Sequence, residues 1–207
     1  MAKLTLTTFL TLDGVMQAPG GPEEDTSGGF SYGGWVVPFV DEGMGAFVNE
    51  VFDRAGAFLL GRRTYEIFAS YWPQHDDPAD PIAHRLNTLP KYVASATLKD
   101  PAWGPATVVD GEQLQSEIVR AKDALEEGRE LQVHGSGMLA QWLLARDLVD
   151  EMNLQVFPVY LGAGRRLFPT GGLPTACELI SSRTTESGIA IHTYRPKGRA
   201  TFGSFLD

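Results

Sequence analysis

The run Ala57-Phe58-Leu59-Leu60 is apolar throughout and has the length of a strand, and Gly61 then leads directly into the helical pattern of Arg62-Arg63-Thr64-Tyr65-Glu66. A strand apolar on both faces that turns into a helix at a glycine belongs to an α/β architecture, which leaves few folds open. The first turn of a helix has unpaired backbone N–H groups and a dipole that favours negative charge, so an anion can bind there. Arg62 and Arg63 add guanidinium forks suited to phosphate, Thr64 adds a hydroxyl, and Gly61 lets a bulky ligand approach the backbone. On these residues alone an ordinary turn with solvated arginines is an equal alternative.

A second junction of the same kind shifts that balance. Leu131-Gln132-Val133-His134 is another short strand, and Gly135-Ser136-Gly137 carries it into the apolar helical run Met138 to Leu144. Two glycine-lipped strand ends in one sheet can clamp the two phosphates of a dinucleotide from opposite sides. The second turn lacks the third glycine of the Rossmann fingerprint and no suitable acidic residue follows, so a standard Rossmann domain is disfavoured.

The remaining pattern alternates strands and helices. Residues 3–10 form a first strand that ends at the turn pair Asp13-Gly14, followed by a long glycine-rich loop over roughly residues 14–37. A loop of that length in a compact domain is usually functional, and it is read as the substrate side. Asp41 is an N-cap for a helix whose Met44, Phe47, Val48, Val51 and Phe52 share one face. Further along come a helix over 62–72, an exposed acidic loop from Pro73 to Pro81, a helix over 81–88, strands at 91–95 and 106–109, and a helix over 112–127. Strands separated by helices predict parallel pairing with right-handed crossovers. A longer strand from Met152 to Tyr160 and a hairpin of 176–184 with 189–195 then close the mostly parallel sheet with antiparallel strands. The expectation is one domain over residues 1–196 and a loose tail over 197–207, in which Phe202 and Phe205 could dock locally.

Composition narrows the partners. With 207 residues, 43% of them apolar, the chain can bury one substantial core, and a net charge of −9 disfavours nucleic acid and anionic membrane surfaces. A local basic pocket remains compatible with that charge, and Arg62, Arg63, Arg165 and Arg166 mark where to seek it. The single cysteine, Cys177, rules out an internal disulfide and is expected to pack in a strand. His75, His84, His134 and His192 show no metal-ligand spacing, so no metal is expected. Trp72 and Trp142 are expected to fill the core. Met1-Ala2-Lys3 runs straight into strand alternation without a charged-then-apolar leader, and a soluble cytoplasmic protein is expected.

Together these residues resemble the dihydrofolate reductase-like family over nearly the whole chain. Gly61-Arg62-Arg63-Thr64-Tyr65-Glu66 looks like its cofactor motif, and Gly135-Ser136-Gly137 stands where its second glycine turn should be. Leu12-Asp13-Gly14-Val15 and Leu161-Gly162-Ala163-Gly164-Arg165-Arg166-Leu167-Phe168 are similar to stand-alone relatives of the reductase domain of the bifunctional riboflavin-biosynthesis deaminase-reductase. The zinc site of the deaminase half would need a His-x-Glu and a Cys-x-x-Cys, which one cysteine cannot supply. The resemblance implies a three-layer α/β fold and an NADPH site. Arg62, Arg63 and Thr64 would hold the 2′-phosphate and pyrophosphate, Ser95 and Thr97 would flank the adenosine end, and Gly135, Ser136, Gly137 and Met138 would carry the pyrophosphate and nicotinamide side. It departs in two places: the second turn reads Gly135-Ser136 where consecutive glycines are usual, and no acid of the first helix matches the substrate carboxylate of dihydrofolate reductases.

Hydride transfer needs the nicotinamide and an acceptor carbon held in line, and few catalytic side chains. Asp13, at the end of the first strand, is the candidate proton source, against the plain reading of Asp-Gly as a turn. Gln17, Tyr32 and Trp35 are candidates to line the acceptor pocket, or else form a lid. Arg165 and Arg166 either bind a substrate phosphate or cap a helix, and His134 reads as a packed strand end before an acid. The implied function is an NADPH-dependent reductase of a small heteroaromatic molecule, resembling 5-amino-6-(5-phosphoribosylamino)uracil reductase, in a protein that forms homodimers. The alternatives are a dihydrofolate or pterin reductase, a non-catalytic NADPH-binding module, and a flavin-binding or nucleotide-processing α/β protein.

Overall fold

The computed structural model describes residues 2–205. Its strands are β1 (Lys3–Thr11), β2 (Ala55–Gly61), β3 (Lys91–Ala94), β4 (Ala106–Val109), β5 (Glu130–His134), β6 (Glu151–Phe157), β7 (Thr175–Thr184) and β8 (Ala190–Arg199). Its α-helices are α1 (Glu42–Asp53), α2 (Arg62–Tyr71), α3 (Pro81–Thr88), α4 (Leu114–Ala124) and α5 (Gly137–Leu144). One eight-stranded sheet has the order β4-β3-β2-β5-β1-β6-β8-β7. The pairs from β4 to β6 are parallel, and β6 with β8 and β8 with β7 are antiparallel. The mostly parallel sheet closed by an antiparallel hairpin is therefore present as the pattern predicts.

The buried side chains sort the helices into two layers. Phe52 of α1, Tyr65 of α2 and Leu86 of α3 pack with Phe58 and Leu60 on one face of β2. Ile118 of α4 and Leu139 and Leu143 of α5 pack with Leu59, Leu131 and Val133 on the other. Connections that travel toward β4 thus use one face and those that travel toward β7 use the opposite face, which is what a single crossover hand requires. A third cluster, with Val15, Phe30, Trp35, Phe47, Val51 and Phe157, fastens the glycine-rich loop over α1 and β6.

Local chemistry sets the ends of the elements. Asp41 caps α1 as expected, accepting from the Met44 amide at 2.8 Å, and it also accepts from the Ser187 amide at 2.9 Å in the turn between β7 and β8. These bonds lower its carboxyl pKa, the Ser187 amide most of all. Helix α4 is shorter than the 112–127 predicted, because Leu125 has left helical geometry with ψ 144°. Strand β6 stops at Phe157, before Pro158, instead of reaching Tyr160. Strand β8 continues through Pro196 to Arg199, whose guanidinium meets Asp147 at 2.8 Å, so the break expected at residue 196 falls inside a strand. Cys177 is in β7 but exposed, and Phe202 and Phe205, which could have docked locally, are exposed. Met1, Leu206 and Asp207 of the expected domain and tail lie outside the described residues.

Candidate functional site

Adjacent strands β2 and β5 send their helices to opposite faces of the sheet, α2 to one and α5 to the other. That divergence opens a crevice at the carboxyl ends of the two strands, the position at which open α/β sheets bind ligands. Both glycine turns sit on its lips. A cleft of about 1440 Å³ extends from them, between α1 and α2 on one side and the glycine-rich loop on the other.

A single serine fastens the two turns together. Ser136 Oγ accepts from the Gly61 backbone N–H at 2.8 Å and donates to Thr64 Oγ1 at 2.7 Å. To do so the chain turns through two successive left-handed residues, Gly135 with φ 63° and Ser136 with φ 58°. For serine that conformation is strained, and strain of this kind collects where the surroundings hold a residue in place. Gly61 itself has an ordinary φ of −75°, but a Cβ there would lie 3.0 Å from Ser136 Oγ.

Gly61, Arg62, Arg63, Thr64, Ser95, Gly135, Ser136, Gly137 and Met138 all line the cleft, nine of the ten residues predicted for a cofactor. Thr97 does not. Its amide donates to Ser95 Oγ at 3.1 Å, and the Leu98 amide does the same at 2.9 Å, so the Ser95 hydroxyl shapes this turn. The arginines have carboxylate partners. Arg62 pairs with Glu66 at 2.9 Å, one helical turn along α2. Arg63 lies 3.7 Å from Asp25, and Arg165 pairs with the same carboxylate from the far side of the cleft. Arg165 also donates to Ser27 Oγ, so the loop is strapped across the cleft. Trp72 and Trp142 are only partly buried and line the cleft, where a core position was expected.

The loop residues expected to work on substrate hold the loop instead. Asp13 lies outside the cleft lining, and its carboxylate accepts from Thr11 Oγ1 at 2.6 Å, Leu161 N at 3.2 Å and Gly162 N at 2.9 Å, with Arg166 at 3.5 Å. The Thr11 bond leads in holding its pKa down at about 2, which does not suit a proton donor at neutral pH. Gln17 lines the cleft, but its amide donates to the carbonyls of Asp25 and Ser27 and accepts from the Arg165 amide, which uses its polar atoms on the loop. Trp35 is buried, donates to the Gln17 carbonyl at 2.8 Å and packs edge-on against Phe157. Tyr32 is exposed against Phe30 and away from the cleft. Among the cleft acids, burial raises the pKa of Glu24, whose carboxylate accepts from Gly20 N at 2.6 Å.

A polar row runs along the sheet face beneath α1, and its Thr7, His134 and Gln155 reach the cleft floor. Glu130, Gln132 and His134 alternate along β5, and Thr5, Thr7, Asn153 and Gln155 extend the row across β1 and β6. Gln132 donates to the Val51 carbonyl at 2.6 Å and to Glu130 at 2.9 Å, leaving its oxygen for His134 Nε2 at 3.0 Å. His134 therefore carries its proton on Nε2, and its ring stacks on Phe52 with centroids 4.6 Å apart. Burial lowers its pKa to about 4, so at neutral pH it is an uncharged wall of the cleft. Gln155 lines the same floor with no exposed surface, and neither end of its amide has a partner among the described residues. Leaving such a group unpaired costs about 1–3 kcal/mol. Gln155 carries a sequence signal after all, since a polar residue at alternate positions of a strand covered on both faces needs a reason.

A switch-point cleft with two glycine turns and a basic edge defines an α/β protein with a ligand crevice at the carboxyl ends of its strands. The chain belongs to the RibD C-terminal domain family, whose model matches residues 2–191. It is 23% identical over 198 residues to the uncharacterized protein YyaP of Bacillus subtilis strain 168, covering 95% of this chain and 96% of that one. Three solved structures share the fold. A protein assigned to riboflavin biosynthesis in a Shewanella species superposes with a TM-score of 0.65 at 22% identity, over 94% of this chain and 99% of that one. A pyrimidine reductase-like protein of Corynebacterium diphtheriae gives 0.60 at 10% identity, over 95% and 92%. A diaminohydroxyphosphoribosylaminopyrimidine deaminase/5-amino-6-(5-phosphoribosylamino)uracil reductase of Thermotoga maritima gives 0.64 at 13% identity, over 95% of this chain and 57% of that one.

Proposed function

We propose that the cleft binds NADPH and that the protein reduces a small heteroaromatic substrate, resembling 5-amino-6-(5-phosphoribosylamino)uracil reductase. The observation that carries this reading is the pair of turns latched by Ser136 at the switch point, with Arg62 and Arg63 at one edge of the same cleft. In it, Arg62, Arg63 and Thr64 hold the phosphate end and Ser95 the adenosine side, while Gly135 to Met138 hold the pyrophosphate and the nicotinamide. The bound nicotinamide would supply the hydride, and the chain's own residues would position the acceptor and exclude water. The acceptor then lies on the floor between β1, β6 and α1, against the uncharged His134. Glu24 is a better proton source than Asp13, because it is in the cleft and burial favours its protonated form.

A cytoplasmic homodimer is part of the same proposal. Among the described residues no helix is long and apolar enough to cross a membrane, and exposed Leu179 and Ile180 on the edge strand β7 offer apolar surface for self-association.

The test is oxidation of NADPH, followed by its absorbance, with the ribosylaminouracil substrate and with dihydrofolate in parallel. Turnover of the uracil compound supports the proposal, and turnover of dihydrofolate alone transfers it to the pterin reductases. Tight NADPH binding without turnover across a broad acceptor panel favours a binding module, and protein that purifies yellow favours a flavin site.

A further inference from the structure

The polar row beneath α1 satisfies itself almost completely. Thr5 donates to Glu130, which also accepts from Arg54 and Gln132; Gln132 accepts from His134; Asn153 donates to Thr7 and accepts from Thr193. Gln155 is the exception. Its neighbours across the sheet are Phe9 on β1 and Ile191 on β8, neither of which offers a polar side-chain atom. Its exposure is 0%, its Nε2 and Oε1 both lack partners among the described residues, and it lines the floor of the cleft. Packing alone would be better served by leucine or methionine at this position.

We propose that Gln155 is the ring-recognition residue of the acceptor pocket, its carboxamide pairing with the adjacent N–H and C=O of a lactam-containing heterocycle such as a pyrimidinone or pteridinone. A primary amide presents one acceptor beside one donor, and the complementary partner is a donor beside an acceptor. A phosphate or carboxylate would use only its N–H groups, and a hydrocarbon would use neither. Val51 and Phe52 of α1 line the same cleft and provide apolar surface for the faces of a flat ring. Phe9, the cross-strand neighbour of Gln155 on β1, and Val48 of α1 are also in the lining and only half-buried. The assignment rests on the reductase reading for calling this ligand the hydride acceptor, while the pairing itself requires no cofactor.

The test uses the full chain with two fluorescent probes, lumazine and 1,3-dimethyllumazine, which differ in that methylation removes both lactam N–H groups. The wild type is expected to bind lumazine on the order of tenfold or more tightly than the dimethyl compound. Gln155→Leu should bind the two alike, and its ligand-free melting temperature should rise by roughly 2–4 °C because unpaired polar atoms have gone. Gln155→Met, unbranched and of similar length, gives the same two readouts should leucine prevent folding. Equal binding or no binding of the probes by the wild type overturns the assignment, as does a retained preference or a lower melting temperature in the variants. NADPH binding is titrated on the same proteins. Its absence alongside lumazine discrimination sinks the reductase reading and leaves Gln155 in place; NADPH binding without discrimination overturns Gln155 alone.

Discussion

The turns after β2 and β5 present the same letters, a glycine between a buried strand and a helix, yet the glycines answer different needs. At Gly61 the backbone is one that any residue adopts, and what matters is the missing Cβ, which leaves Ser136 Oγ room to reach the Gly61 amide. At Gly135 the space is open, with the nearest atom 3.8 Å from a built Cβ, and what matters is φ at 63°. One turn needs room and the other needs freedom of the chain. The first lip is therefore ready-made by sequence, whereas the second is bent into place and held by a bond to the first.

Four experiments sharpen or break this contrast, the largest expected effect first. If the first turn holds the 2′-phosphate, the double variant Arg62→Ala with Arg63→Ala should weaken NADPH on the order of a hundredfold and NADH only a few-fold, measured by fluorescence titration. Equal losses would remove the phosphate from that lip. The second turn stands on His134, and its pH response follows from burial. Unfolded, the imidazole gains its proton near 6.5; folded, near 4. This contribution to stability is complete above pH 6.5 and is lost as pH falls to 4, amounting to about 3 kcal/mol. Urea unfolding across that window should show the slope in the wild type, and His134→Phe should flatten it.

The latch between the turns comes next. Ser136→Ala removes both of its bonds and should cost about 1–2 kcal/mol in thermal or urea unfolding. Ser136→Gly loses the same bonds but relieves the left-handed strain, recovering roughly 1 kcal/mol of that cost. An alanine variant as stable as the glycine variant would mean that the strain is not there. The smallest effect separates the glycines themselves, because asparagine visits the left-handed region more readily than alanine. Gly135→Asn should be better tolerated than Gly135→Ala, whereas at Gly61 both should disturb NADPH binding alike. Matching behaviour at the two positions would erase the distinction between them.

Much of the architecture was legible before the structure, because continuous apolar strands and periodic helices leave little choice in a sheet covered on both faces. The two glycine turns at the cleft were legible for the same reason, since strand, glycine and helix start are contiguous in the chain. Asp13 was not, because its partners Leu161 and Gly162 lie almost 150 residues away. Nor was Gln17, an amide of the right type for a pocket, whose hydrogen-bonding capacity is taken up by carbonyls of its own loop. The glycine-rich loop could be recognised as special from its composition, but which of its polar groups face inward depends on where its glycines turn, and composition does not encode that. The polar row of the floor left a trace in the alternation of Leu4-Thr5-Leu6-Thr7, Leu131-Gln132-Val133-His134 and Met152-Asn153-Leu154-Gln155. Alternation of that kind fits a strand solvated on one face, yet all six polar positions are buried.

Asp25 gives the basic edge one last property. Its carboxylate already sits between Arg63 and Arg165, an internal anion belonging to the loop that straps the cleft. A phosphate arriving at Arg63 would then enter an exchange reaction, taking the cation while the carboxylate goes back to water or stays with Arg165 alone. The affinity measured would be the difference between two anions for one set of charges, and added salt would weaken both sides of that balance. Discrimination by this protein would be gentler than its count of arginines suggests, and release of the ligand would be assisted by a competitor built into the chain.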